Sequence, residues 1–215
     1  MPDILVLNHS ALLTAADIPS AIAAIAAINK QIAEDFAPVW NASGTVYFGD
    51  APSGAWQFTL QDTIDDPDAL GYHADDHGVT AIIDIAACKQ CGSDWRTCLG
   101  HEVLEALADP LTTRLSPNGL YAVEVADPVE EDLYLIDGVP VTNFVLPAYF
   151  GWAGSKFDKT GILSGPAPAL SPGGYQMVLQ NGNWTSLYGE RAAARPGYMA
   201  SRQGGRRAWR MRQMP

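Results

Sequence analysis

The stretch Gly100-His101-Glu102-Val103-Leu104-Glu105-Ala106-Leu107-Ala108-Asp109-Pro110 decides how the rest of the chain is read. Residues four apart on an α-helix share a face, so His101 and Glu105 can offer an imidazole nitrogen and a carboxylate to one ion. Glu102 points about 100° away around the axis. In H-E-x-x-H zinc hydrolases the glutamate at that position is the general base that activates water. Here the pattern is H-E-x-x-E, with Glu102 as the candidate catalytic base. Mixed nitrogen and oxygen ligation makes Zn²⁺ the best-fitting divalent ion, and the extra carboxylate brings Mn²⁺, Fe²⁺ or Ca²⁺ within range. Asp109 lies ~12 Å along the axis from His101, which suits a cap for the turn at Pro110 or a support behind the ligands, not a shared ion.

A third ligand has to come from another element. Glu124 and Asp127, in Val123-Glu124-Val125-Ala126-Asp127-Pro128, are the best candidates, because acids in an otherwise apolar strand need a partner. His73 and His77 come next. The competing reading is an amphipathic core helix, with Val103, Leu104 and Leu107 inward and Glu102 and Glu105 as surface acids.

Upstream, Ile4-Leu5-Val6-Leu7 reads as a buried strand. Ile22, Ile25, Ile28, Ile32 and Phe36 recur at helical spacing, which predicts a long helix over about 19–37, ended by Pro38. Thr45–Phe48 and Trp56–Leu60 read as strands, and Val79–Ala86 as a central one. The polar run from Asp65 to Gly78 reads as a loop, and His73-Ala74-Asp75-Asp76-His77 within it as a solvated turn, its four potential ligands leaving a substrate or second-ion role as the alternative. The His101 helix is expected to begin near Asp94 or Trp95.

Downstream, Leu120–Val125 and Leu133–Ile136 read as antiparallel strands, with Asp137-Gly138 a hairpin turn. Val141–Phe150 reads as an extended edge segment, residues 161–174 as a loop or arm, and Tyr175–Leu179 with Trp184–Tyr188 as a late hairpin. The expected fold class is α+β: a mixed sheet with two main helices over 1–150, a mainly β/loop C-terminal extension over 151–190, and an Arg-rich tail over 191–215.

The order strand, long helix, strands, then a helix carrying His101-Glu102 resembles the minimal zincin fold of metallopeptidases over roughly residues 1–130. That resemblance implies a zincin-like domain and metal-assisted amide hydrolysis, with His101, Glu105 and one acid of the Glu124–Asp127 strand as ligands. The departures are the absent second motif histidine and the absent glycine-then-histidine continuation, which count against proteolysis even within the fold. The run Gly100–Pro110 and the run Glu124-Val125-Ala126-Asp127-Pro128-Val129-Glu130 also resemble uncharacterised proteins encoded by tailed bacteriophages. This second resemblance implies a non-catalytic virion component, capsid or tail, made in the host cytoplasm and keeping the scaffold for assembly with itself or other virion proteins.

Cys88, Cys91, Cys98 and His101 have the ligand types of a Cys₃His zinc site, which competes for His101; a Cys88–Cys91 disulfide or plain thiols are the simpler alternatives. No phosphate-binding loop and no G-x-S-x-G nucleophile motif occurs. At 47% hydrophobic and 17% charged residues the chain is globular, and no apolar run reaches the ~20 residues of a membrane span. The first residues lack a positive region before an apolar run, so no secretory signal is expected. The net charge of −11 conceals an asymmetry: seven arginines and no acid occupy 191–215, leaving 6 basic against 24 acidic residues before them, −18 against +7. The Arg191–Arg212 tail is therefore a candidate arm for nucleic acid, an acidic partner, or the acidic body itself.

Overall fold

The computed structural model describes residues 1–64, 70–75 and 78–193. Its centre is a five-stranded mixed sheet formed by β1 (Asp3–Asn8), β2 (Thr45–Phe48), β3 (Trp56–Gln61), β4 (Gly71–Asp75) and β5 (Val79–Asp84), in the order β2-β1-β3-β5-β4. All neighbours are parallel except β4, which runs antiparallel to β5 along one edge. Alternate residues Ile4 and Val6, Phe58 and Leu60, Ala81 and Ile83 are buried in one apolar core. That period-two pattern sends every second side chain to the face covered by helices. The fold is α+β, as the sequence implies.

The first long helix, α1 (Ile18–Gln31), buries Ala21, Ala24, Ile25 and Ile28. Ile22, counted in the apolar face on spacing, is instead 56% exposed. Pro38 does not end this helix. A π-turn at Ile32–Phe36 leads into α2 (Ala37–Trp40), and Ala37 N–H donates to Ile32 O. Proline has no N–H and crowds the carbonyl four residues back, and a wider turn just before it removes that conflict. The chain leaves at Asn41 in the left-handed region, φ 50°.

The expected strand Val79–Ala86 stops at Asp84, whose carboxylate accepts from Ala87 N–H and caps a short helix, α3 (Ile85–Cys91). Asp94 then caps α4 (Trp95–Ala108), the helix of His101. The polar segment expected to be a solvated turn holds strand β4, and His73 within it is 3% exposed. It is buried because α4 packs across β4 and β5, not because its own sequence is apolar. His77 and residues 65–69 lie outside the described residues.

Residues 120–125 do not form a continuous strand: isolated bridges join Leu115 to Ala122 and Tyr121 to Val178. β6 (Leu133–Ile136) and β7 (Val139–Thr142) form the expected hairpin around Asp137-Gly138, both at positive φ. Val141–Phe150 is extended only at its start, because Pro147–Phe150 winds into a 3₁₀ turn, with proline at a position that needs no N–H. The late hairpin is β8 (Tyr175–Gln180) and β9 (Asn183–Tyr188). It is bonded to the 120–130 segment: Ala122 N–H donates to Met177 O and Leu179 N–H to Leu120 O. Gly174 allows that seating, since a Cβ there would stand 2.1 Å from Pro128 O. A last turn, α5 (Glu190–Ala193), brings Arg191 to an ion pair with Glu131 at 3.2 Å; the remainder of the arginine tail lies outside the described residues.

Candidate metal centre

From Leu99 to Ala108 every residue of α4 is buried, polar ones included. Glu102 and Glu105 are not surface acids: they are 3% and 0% exposed. Ionised side chains in a core need partners, since burying an isolated charge is far costlier than any packing gain. Two other elements, β4 and the 124–127 segment, supply them.

His101 Nε2 stands 3.1 Å from Glu105 Oε1 and 3.0 Å from Asp127 Oδ1. Glu105 Oε1 also accepts from the backbone N–H groups of Ala126 and Asp127, both at 3.3 Å. These bonds draw the 124–127 segment onto the helix. Glu124 is fixed between Val123, whose N–H donates to Arg114 O, and Val125, whose carbonyl accepts from Val145 N–H. On the other side of α4, strand β4 delivers His73, with Nδ1 3.3 Å from Glu102 Oε2 and 4.0 Å from Glu105 Oε2. Its Nε2 lies 3.3 Å from the Asp109 carbonyl oxygen.

Two groups bring one ligand atom per residue within 4.8 Å of one another: His101–Glu102–Glu105 and His73–Glu105–Glu124. The buried His/Glu clusters are able to hold a metal ion. Ligands ~2.0–2.1 Å from a tetrahedral Zn²⁺ lie about 3.3 Å apart, close to the spacing around His101 Nε2. Charge argues in the same direction. Glu102, Glu105, Glu124 and Asp127 carry four potential negative charges, which two imidazolium rings only half neutralise, so the centre favours added positive charge.

Of the residues singled out from sequence, His101 and Glu105 meet directly, Asp127 touches His101 but stands outside both close groups, and Glu124 joins Glu105 on the His73 side. Glu102, placed about 100° around the helix from His101, still comes within the His101 group. Asp109 caps the following turn, accepting from Thr113 and Arg114 N–H at 3.1 and 2.8 Å. Tyr149 went unnoticed in the sequence. Its hydroxyl is fully buried, makes no hydrogen bond among the described residues, and is within electrostatic reach of Asp127. Burial first, then Tyr121 and Asp127, push its phenol well above the usual range.

Burial disfavours charge on His101, but Glu105, the hydrogen bond with Asp127, and Glu102 outweigh it and raise its pKa well above that of a free imidazole. Without an ion His101 is thus a cation between carboxylates, and ligation there displaces its proton. The cysteines form a different environment. Cys91 is exposed, and Cys88 Sγ lies 3.5 Å from Cys98 Sγ with no disulfide between them. The Cys88 contact and burial raise the Cys98 pKa well above normal, so without an ion it is held as a thiol. Neither close group contains a cysteine.

The chain matches no protein-family model, no curated protein and no solved structure. What fold and site define is an α+β protein with a buried histidine–carboxylate centre able to hold a metal ion. No helix among the described residues is long and apolar enough to cross a membrane.

Proposed function

We propose that this chain is a metal-binding, zincin-like protein in which His101 and Glu105 hold a divalent ion, Zn²⁺ before others, with an acid of the Glu124–Asp127 segment, and that Glu102 serves as base in metal-assisted amide hydrolysis. The observation that carries this reading is a single imidazole nitrogen, His101 Nε2, 3.0–3.1 Å from carboxylate oxygens of two separate elements inside the core. Support for the scaffold comes from the position of the His101 helix against a mixed sheet whose antiparallel edge strand, β4, lies beside it.

When bound, such an ion supplies Lewis acidity, polarising a carbonyl and acidifying water. The protein's part is to place and hold protons. Glu102 Oε2, 3.3 Å from His73 Nδ1, would take the proton of the attacking water. The Asp109 carbonyl orients His73 through its Nε2.

A second reading is a virion assembly protein that keeps the scaffold and uses the ion to hold its shape, with the extension and arginine tail contacting neighbouring copies, other virion proteins or DNA. The burial favouring it is specific: His101 exposes 9% of its side chain, Glu102 4%, and Glu105 and Asp127 none. Metal analysis followed by Glu102→Gln separates the two. Less than about a tenth of an equivalent of any ion contradicts both. Catalysis predicts loss of amide hydrolysis with the ion retained. A structural ion predicts unchanged folding and assembly, with no hydrolysis to lose.

A further inference from the structure

We propose that the centre holds two divalent ions bridged by Glu105, the second of them bound by His73, Glu105 and Glu124. The inference rests on the reading of His101 and Glu105 as ligands and extends it to residues on the other side of α4. The two close groups share Glu105 alone, and the two imidazoles belong to different groups. The carboxylate is split between them: Oε1 faces His101, and Oε2 faces His73. A carboxylate used in this way sets two ions ~3.5–4 Å apart.

The orientation of His73 is the second, independent observation. Its Nε2 is 3.3 Å from the Asp109 backbone carbonyl, an acceptor only, so Nε2 carries a hydrogen and donates it. Ligating histidines are held in this manner, by a carbonyl or carboxylate on the far nitrogen, which leaves the near nitrogen for the ion. Here Nδ1 is left facing Glu102 and Glu105, with the Glu124 carboxylate inside the same 4.8 Å group. Three elements contribute, β4, α4 and the segment after the Asn118-Gly119 turn, and all three side chains are buried. Two ions and neutral imidazoles would leave four carboxylates electrically balanced. The alternative is a doubly protonated His73 that serves only as counter-charge to Glu102.

The test is a count of Zn²⁺ bound by the metal-stripped full chain after dialysis, with Mn²⁺ loading followed by electron paramagnetic resonance. The expected results are two ions per chain, a spin-coupled Mn²⁺ pair, and a halved count in both His73→Gln and Glu124→Gln. The Mn²⁺ spectrum of the unsubstituted chain needs no variant to fold. One ion per chain, lost in His101→Gln and kept in His73→Gln, overturns the pair and leaves the His101 centre standing. No ion at all overturns both.

Discussion

Glu105→Gln isolates the role of the carboxylate at the middle of the centre. Gln keeps an oxygen able to accept from Ala126 and Asp127 N–H, now both bonded to Glu105 Oε1 at 3.3 Å, and changes the side-chain volume hardly at all. It removes one of four clustered negative charges. In metal-free protein the weaker neutral acceptor costs about 1–2 kcal/mol. Relief of repulsion from Glu102, Glu124 and Asp127 opposes both this and the lost attraction to the His101 imidazolium, so a net change of about 1 kcal/mol is expected. With an ion at about a hundred times its dissociation constant, the unsubstituted protein gains about 2.7 kcal/mol, which the variant forgoes. Urea unfolding of both proteins, in chelator and in excess Zn²⁺, reads this directly. The two curves should nearly coincide in chelator and separate in zinc. An equal gap in both conditions would refute the reasoning and make Glu105 a plain hydrogen-bonded ion-pair partner.

Other consequences follow from the packing. A Cβ on Gly174 would meet Pro128 O at 2.1 Å, so Gly174→Ala should destabilise by roughly 3 kcal/mol and weaken metal binding by shifting the 124–130 segment, read by thermal unfolding and zinc titration. Gly100→Ala is the contrast: its Cβ would sit 3.6 Å from Ile28 Cγ1, an ordinary contact, and the helix should gain about 0.5–1 kcal/mol in the same melt. Arg114 Nη1 donates to Ala108 O and its guanidinium lies 5.4 and 5.0 Å from the Trp40 and Trp152 rings, so Arg114→Ala should cost about 1–3 kcal/mol and alter tryptophan emission. Asp158 is buried against the charge-disfavouring effect of desolvation, but Asn143, Thr160 and the N–H groups of Gly161, Ile162 and Leu163 hold its pKa below the usual range. Its contribution is therefore complete above about pH 5 and fades as pH falls through its lowered pKa. The stability gap between the unsubstituted protein and Asp158→Asn should shrink on acidification; a gap that widens in acid contradicts the assignment.

Local chemistry made much of this structure legible in the sequence. The Asp94 cap and Pro110 bound α4, and the Asp137-Gly138 and Asn181-Gly182 pairs mark the two hairpins because each turn needs positive φ. The i, i+4 spacing brings His101 and Glu105 together, and the apolar setting of Glu124 and Asp127 leads to the segment that meets them. What the sequence hides depends on long-range packing. Pro38 reads as a stop because a π-turn cannot be seen in spacing. His73 reads as solvated because Gly71-Tyr72-His73-Ala74-Asp75 shows no apolar alternation, and only its pairing with β5 under α4 buries it. The available signal was positional: Gly71, His73 and Asp75 are two apart and share one strand face. Tyr149 sits in a segment that reads as extended and is drawn inward by the 3₁₀ turn at Pro147.

The central claim is an ion at His101. Crystals of the full chain grown with Zn²⁺ and measured on both sides of the zinc absorption edge test it most directly. The account predicts an anomalous peak about 2.0–2.2 Å from His101 Nε2 and from a Glu105 oxygen, with no sulfur neighbour. A peak at Cys88 and Cys98, or none within bonding distance of His101, would contradict it.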